Sequence, residues 1–190
     1  PLSDGGDGFL NVIQSIYSVT SIVYDIYDNN NNLSKEFIVS IDKINKRAYI
    51  ESAALFGLSV VPKINRKPLK LNSEILGDVL LNLAEDVKSN KFEIDEVIIG
   101  IGGTSTIDFA LGALSRLGLK FYDLLENPVE PNPLYFISIS KFQNRIKQLP
   151  FFVKCIVDVD TELIADPGAI EIYGKQKGAS DSDLKIIKSG

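Results

Sequence analysis

The sequence predicts an α/β fold: a mixed sheet with flanking helices plus a small antiparallel meander. Two stretches carry that reading. An amphipathic run over Ser73–Ser89 leads into Val97–Gly100, a β-branched segment broken by Gly102 and Gly103, and a second helical pattern follows. Helix, strand, loop, helix is the order from which parallel and mixed sheets are built. Upstream, residues 21–51 form three short alternating segments divided by polar turns, the pattern of an antiparallel meander. With 190 residues and 45% apolar content, the chain can bury a core as one domain or a large part of two.

Charge and composition narrow the chemistry. The net charge is −5 and no basic run exceeds a few residues, which disfavours nucleic acid and anionic membranes as partners but leaves a small anionic ligand open. Cys155 is the single cysteine, so no intrachain disulfide forms, and a reducing, cytoplasmic setting is expected. Histidine is absent, which removes Ser–His–Asp and Cys–His catalysis and His-ligated metals from this chain. Carboxylates, lysines and backbone amides remain, and hard cations such as Mg²⁺ suit those oxygens. No leader pattern or bilayer-length apolar run is present, and a chain that opens on Pro1 without methionine reads as a piece of a longer one.

In chain order, Asp4 and Asp7 surround paired glycines in PLSDGGDG, which feeds a helix with Phe9, Leu10, Ile13, Ile16 and Tyr17 on one face. A capped turn and a carboxylate at a metal or phosphate site are both open for this loop. Ser21–Asp28, Glu36–Asp42 and Ala48–Glu51 read as strands, with a polar turn at Asn29–Asn32 and Asn45 at the second turn. Glu51 leads into an apolar patch and must be paired or at an edge. Arg66, Lys67 and Lys70 form a solvated loop or a phosphate contact. Ser73 caps the next helix, whose stripe is Ile75, Leu76, Val79, Leu80, Leu83 and Val87.

Gly102, Gly103, Thr104, Ser105 and Thr106 then stand between strand and helix. This loop either points backbone N–H groups at an anion or is an ordinary connection with a hydroxyl N-cap. It is no Walker loop, lacking Gly-Lys-Ser/Thr, and no G-x-G-x-x-G, because Ser105 replaces the third glycine. Ile107, Ala110, Leu111, Leu114 and Leu117 predict a helix that Gly118 ends. Leu119–Tyr122 reads as a strand, Asp123–Pro133 as loop and Ser138–Gln148 as helical. FFVKCIVDVD reads as a buried strand ending in Asp158 and Asp160, which share a face and either ligate Mg²⁺ or bond to nearby loops. Lys175 and Lys177 lie between Gly174 and Gly178, solvated or close to a phosphate, and Ser180 or Ser182 caps a last helix.

Four of these pieces, in this order, resemble the type I glycerate kinase family. DGGDG at 4–8 is similar to its D-G-G-E-G, GIGGTSTID at 100–108 to its G-L-G-G-S-A-T-N-D, VDVD at 157–160 to its C-D-V-D, and IYGKQKGA at 172–179 to its V-F-G-P-Q-K-G-A. The resemblance spans nearly the whole chain. It implies ATP- and Mg²⁺-dependent phosphorylation of D-glycerate by an α/β protein, seen here as a fragment. Residues 21–190 would form the main domain, and residues 1–20 a remnant of a neighbouring α/β domain or its first helix.

Within that resemblance, Gly102, Gly103, Thr104, Ser105 and Thr106 would cradle an anionic group. Asp108 would orient or deprotonate the attacking hydroxyl or hold the metal, and Lys177 would stabilise the transferring phosphoryl group. Asp158 and Asp160 would ligate Mg²⁺, with Asp4 and Asp7 as secondary ligands, and a homodimer is left open. The chain departs from the family at Ile107, Phe109, Ala110 and Thr161-Glu162-Leu163, and retains only Gly77 of a glycine- and threonine-rich segment near 72–77. Those departures raise the alternative of a catalytically degenerate binding module on the same fold, or a kinase for another small hydroxy acid.

Overall fold

The computed structural model describes residues 2–27 and 33–190, so the expected turn at Asn29–Asn32 lies outside the described residues. The chain divides into two compact units. The first comprises Pro1–Val60, Asp78–Thr104 and Gln148–Asp158, and the second Val61–Gly77, Ser105–Lys147 and Val159–Gly190.

The first unit is built on a five-stranded mixed sheet. Strands β1 (Thr20–Tyr27), β2 (Leu33–Asp42), β3 (Arg47–Glu51), β4 (Glu96–Gly100) and β8 (Phe152–Ile156) lie side by side in that order. The expected meander is present: β1 pairs antiparallel with β2, and β2 with β3. β3–β4 and β4–β8 are parallel. Alternation shows at Phe37–Val39 of β2, where Phe37 and Val39 are buried while Ile38 faces outward, and from Val39 to Asp42 both faces are covered. Asp42 ties the second turn by accepting hydrogen bonds from the Ile44 and Asn45 amides and from Asn45 Nδ2.

Helix α1 (Phe9–Ile16) lays Phe9, Leu10 and Ile13 against Tyr49 of β3, with Ile98 and Ile156 beside them. Short α2 (Ser52–Phe56) follows β3, and α3 (Glu74–Lys88) belongs to this unit from Asp78 onward. Tyr24 of β1 donates its hydroxyl to Asp86 Oδ2 at 2.7 Å. Burial first, and Asp86 second, push that phenol far above its ordinary range.

β8 differs from expectation. It is an exposed edge strand with β4 as its one neighbour, and only Phe151, just before it, is buried. An apolar run cannot by itself distinguish a central strand from an edge.

In the second unit, β5 (Leu119–Tyr122) is flanked by β6 (Pro128–Val129) and β7 (Lys141–Asn144) in a three-stranded antiparallel sheet. Helix α4 (Leu111–Leu117) ends at Gly118 (φ 125°), whose N–H bonds to the Leu114 and Ser115 carbonyls, and the chain enters β5 at once. Helices α5 (Ala169–Gly174) and α6 (Asp181–Ser189) complete the unit, and α6 packs on the 3-10 turn Pro133–Ser138. Ser180 caps α6, its Oγ accepting from the Asp183 amide at 3.2 Å. The helix expected over Ser138–Gln148 is instead the end of that turn and β7. Pairing with β5 satisfies the backbone there, and tertiary hydrogen bonding overrides local helix preference. Pro128–Val129 also pairs within the stretch expected to be all loop.

Glu51 resolves as paired. Its Oε1 accepts from Gly8 N at 3.0 Å and its Oε2 from Leu10 N at 2.9 Å, so a buried carboxylate fills the N-terminus of α1. Glu51→Ala is expected to lower stability by about 2–4 kcal/mol in urea unfolding, because two amides lose a charged acceptor, with Glu51→Gln intermediate.

Candidate functional site

The glycine loop after β4 packs against the N-terminal glycine loop, backbone to backbone, within the first unit. A Cβ on Gly100 would sit 2.4 Å from Gly5 O, and one on Gly102 would sit 2.8 Å from Gly6 N. Gly102 N donates to Gly5 O at 3.2 Å, and Leu58 N donates to Gly103 O at 2.8 Å. Thr104 bridges to Gly57. These glycines therefore serve close loop packing. In the N-terminal loop, Asp4 Oδ1 accepts from Gly6 N at 2.9 Å and Asp7 Oδ1 from Ser59 Oγ at 2.7 Å. The carboxylate on the amides of α1 is Glu51, and Asp7 is turned to Ser59 instead.

In the second unit, α4 starts at Leu111, later than the apolar spacing from Ile107 suggests. Phe109 and Ala110 take left-handed backbone, with φ 51° and 60°, and hold residues 107–110 outside the helix. The buried Asp108 organises this turn. Its Oδ2 accepts hydrogen bonds from Ser73 N and Ser73 Oγ, both at 2.7 Å, and from Gly112 N at 3.1 Å. Ser73 Oγ in turn accepts from Ala113 N at 3.0 Å. One carboxylate oxygen thus caps the first turns of α3 and α4 together. The Phe109 ring is stacked on Phe136, with centroids 5.7 Å apart.

Lys177 joins this cluster. Its Nζ donates to the carbonyl of Thr106 at 2.9 Å, and Thr106 and its neighbour Ser105 are buried. Burial lowers the Lys177 amine to about 8, while the negative charge of Asp108 pulls it the other way. Lys175 instead forms a surface ion pair with Asp181 at 3.0 Å. An amine poised near neutrality beside a carboxylate can supply either a cation or a proton.

Asp158 and Asp160 follow β8 as exposed carboxylates. Among the described residues, no three His, Cys, Asp or Glu side chains gather into a metal-holding group. Mg²⁺ commonly takes one or two carboxylates and completes its shell with phosphate oxygens and water, so either exposed aspartate fits as a partial donor. Of the expected site residues, Lys177, Thr106 and Asp108 come together in the second unit. Gly102, Gly103, Thr104, Asp4, Asp7 and Asp158 belong to the first.

Sequence reasoning assigned Ser73 only a cap, and missed its bond to Asp108 and the role of Gly112. A Cβ on Gly112 would lie 2.7 Å from Ser73 N, so this glycine permits the close approach. Among the described residues, no helix is long and apolar enough to cross a membrane.

The glycerate kinase family model matches residues 1–190. Among similar proteins, a glycerate 2-kinase of Escherichia coli K12 is 33% identical over 96% of this chain and 47% of its own length. A glycerate kinase of Bacillus cereus is 29% identical over 98% of this chain and 48% of its own length. The chain therefore spans about half the length of the curated relatives it matches. In structure it is similar to a putative glycerate kinase 2 from Salmonella typhimurium LT2, with TM-score 0.81 and 23% identity, covering 98% of this chain and 49% of that one. Family motifs in register, an α/β architecture shared with that solved structure, and a family match across residues 1–190 agree: the chain belongs to the glycerate kinase family.

Proposed function

We propose that this chain forms part of a cytoplasmic kinase that transfers the γ-phosphoryl group of ATP to a hydroxyl of D-glycerate. The observation that carries this reading is the pairing of Lys177 with the Thr106 carbonyl and the Asp108 charge in one buried cluster. Phosphoryl transfer asks the protein mainly for positioning and charge stabilisation, which suits a site without histidine. A glycerate oxygen forms the new bond to phosphorus, the bond to the bridging oxygen of ADP breaks, and Asp108 takes the hydroxyl proton. All three hydrogen bonds described above fall on Oδ2, so Oδ1 would be the oxygen that serves the substrate. Protonated Lys177 stabilises charge on the group in transit. The exposed Asp158 or Asp160 would supply a carboxylate to Mg²⁺, with Asp4 or Asp7 as secondary candidates, and the ion when bound neutralises phosphate charge.

The test is ADP release by the complete protein with ATP, Mg²⁺ and glycerate. Turnover dependent on all three is expected. No turnover, together with no thermal shift from ATP–Mg²⁺ or glycerate, would instead favour a binding module that has lost catalysis. A shift with ATP and turnover only with another hydroxy acid would redirect the substrate assignment.

A further inference from the structure

Beside the Lys177 loop lies a cleft of about 210 Å³ lined by Arg66, Lys67, Pro68, Leu69, Lys70, Gly178 and Asp183. A tight turn, with Lys70 N bonded to Lys67 O at 2.8 Å, brings both lysines to its rim. Gly178 takes φ +97°, and a Cβ there would meet Arg66 Cβ and Arg66 O at 2.9 Å. The glycine thus lets the lysine-bearing loop close directly on the basic turn. Arg66 is itself oriented, its Nε donating to Val61 O at 3.1 Å.

In a chain of net charge −5, three cations around one cleft are a local exception. Among the described residues, neither Lys67 nor Lys70 forms an ion pair, unlike Lys175, which is matched to Asp181. The one lining carboxylate, Asp183, is occupied, its Oδ2 accepting from Ser180 N and Ser180 Oγ, both at 2.8 Å. Two lysines without an ion pair at the rim of a concavity favour an anionic guest over solvent-exposed pairing.

We propose that this cleft binds the phosphate oxygens of a phosphorylated small molecule through Lys67 and Lys70, with Arg66 as a third cation. Two sources share that chemistry: the phosphate chain of a nucleotide and the phosphate of a phosphorylated hydroxy acid. The choice between them rests on the kinase reading; the cleft itself does not.

Calorimetric titration of the complete protein with inorganic pyrophosphate tests it. Binding that weakens with added salt is expected, and Lys67→Ala/Lys70→Ala should weaken it roughly tenfold or more, since two charge-assisted contacts are lost. Lys67→Arg/Lys70→Arg should retain most of the affinity. These exposed positions should leave the melting temperature unchanged, so loss of binding is not loss of fold. No binding to the parent protein, or equal binding by the double-alanine variant, overturns the proposal. Parallel titrations with a non-hydrolysable ATP analogue and with phosphoglycerate identify the source, as the relevant one loses affinity in the double-alanine variant. Pyrophosphate binding without glycerate turnover would leave the cleft standing and remove the kinase reading. Glycerate turnover with unchanged KM for ATP and unchanged pyrophosphate affinity in the variant would do the reverse.

Discussion

Asp108→Ala is expected to lower stability by about 3–5 kcal/mol. The buried Oδ2 accepts from Ser73 N, Ser73 Oγ and Gly112 N, and alanine leaves all three donors without their acceptor. Asp108→Asn can present its amide oxygen to the same donors and loses only charge assistance, so its cost should be about 1–2 kcal/mol. Urea unfolding of the two variants measures the difference. The asparagine variant then separates folding from chemistry. If Asp108 takes the substrate proton, kcat should fall roughly 10²–10⁴-fold in a protein that is still folded. Unchanged kcat in Asp108→Asn would make this carboxylate a helix cap and nothing more.

Lys177→Met is expected to remove a rise of stability with pH. The folded amine titrates at about 8, below the 10.5 of an unperturbed lysine. Between these values the unfolded chain still holds a proton that the folded one has released, so this residue makes stability rise with pH across that window. Below pH 8 both forms are charged and the burial penalty stays constant. The full swing is about 3 kcal/mol. Urea midpoints of parent and Lys177→Met at pH 7.5 and 10 should therefore diverge, the parent gaining relative to the variant at high pH. A constant difference would mean that the amine titrates normally. If Lys177 acts as a cation in phosphoryl transfer, kcat should also fade as pH rises through about 8, and the variant should lose roughly 10²–10³ in rate.

Much of the architecture was legible locally. Alternation gave the meander, the stripe from Ile75 to Val87 gave α3, and Val97–Gly100 with its glycines gave the central strand. The family motifs followed from short strings. Legibility failed where a distant partner supplied the hydrogen bonds. Lys141–Asn144 is a strand because β5 pairs with it, although its own residues suggest a helix. Phe152–Ile156 is exposed because it lies at a sheet edge, which its apolar content does not reveal. The helix expected from Ile107 starts at Leu111 because Asp108 and two left-handed residues redirect the chain.

By itself the sequence determined the α/β class, the family and the kinds of side chain available for chemistry: carboxylates and lysines, with no imidazole. Only the tertiary structure decided what those groups do. It put Glu51, 41 residues away from Leu10, on the amides of α1, set Ser73 and Gly112 on Asp108, and anchored Lys177 on a carbonyl 71 positions upstream. Such contacts depend on how loops close in space, and a buried charge is assigned to whichever donors arrive, a matching that residue spacing along the chain does not encode.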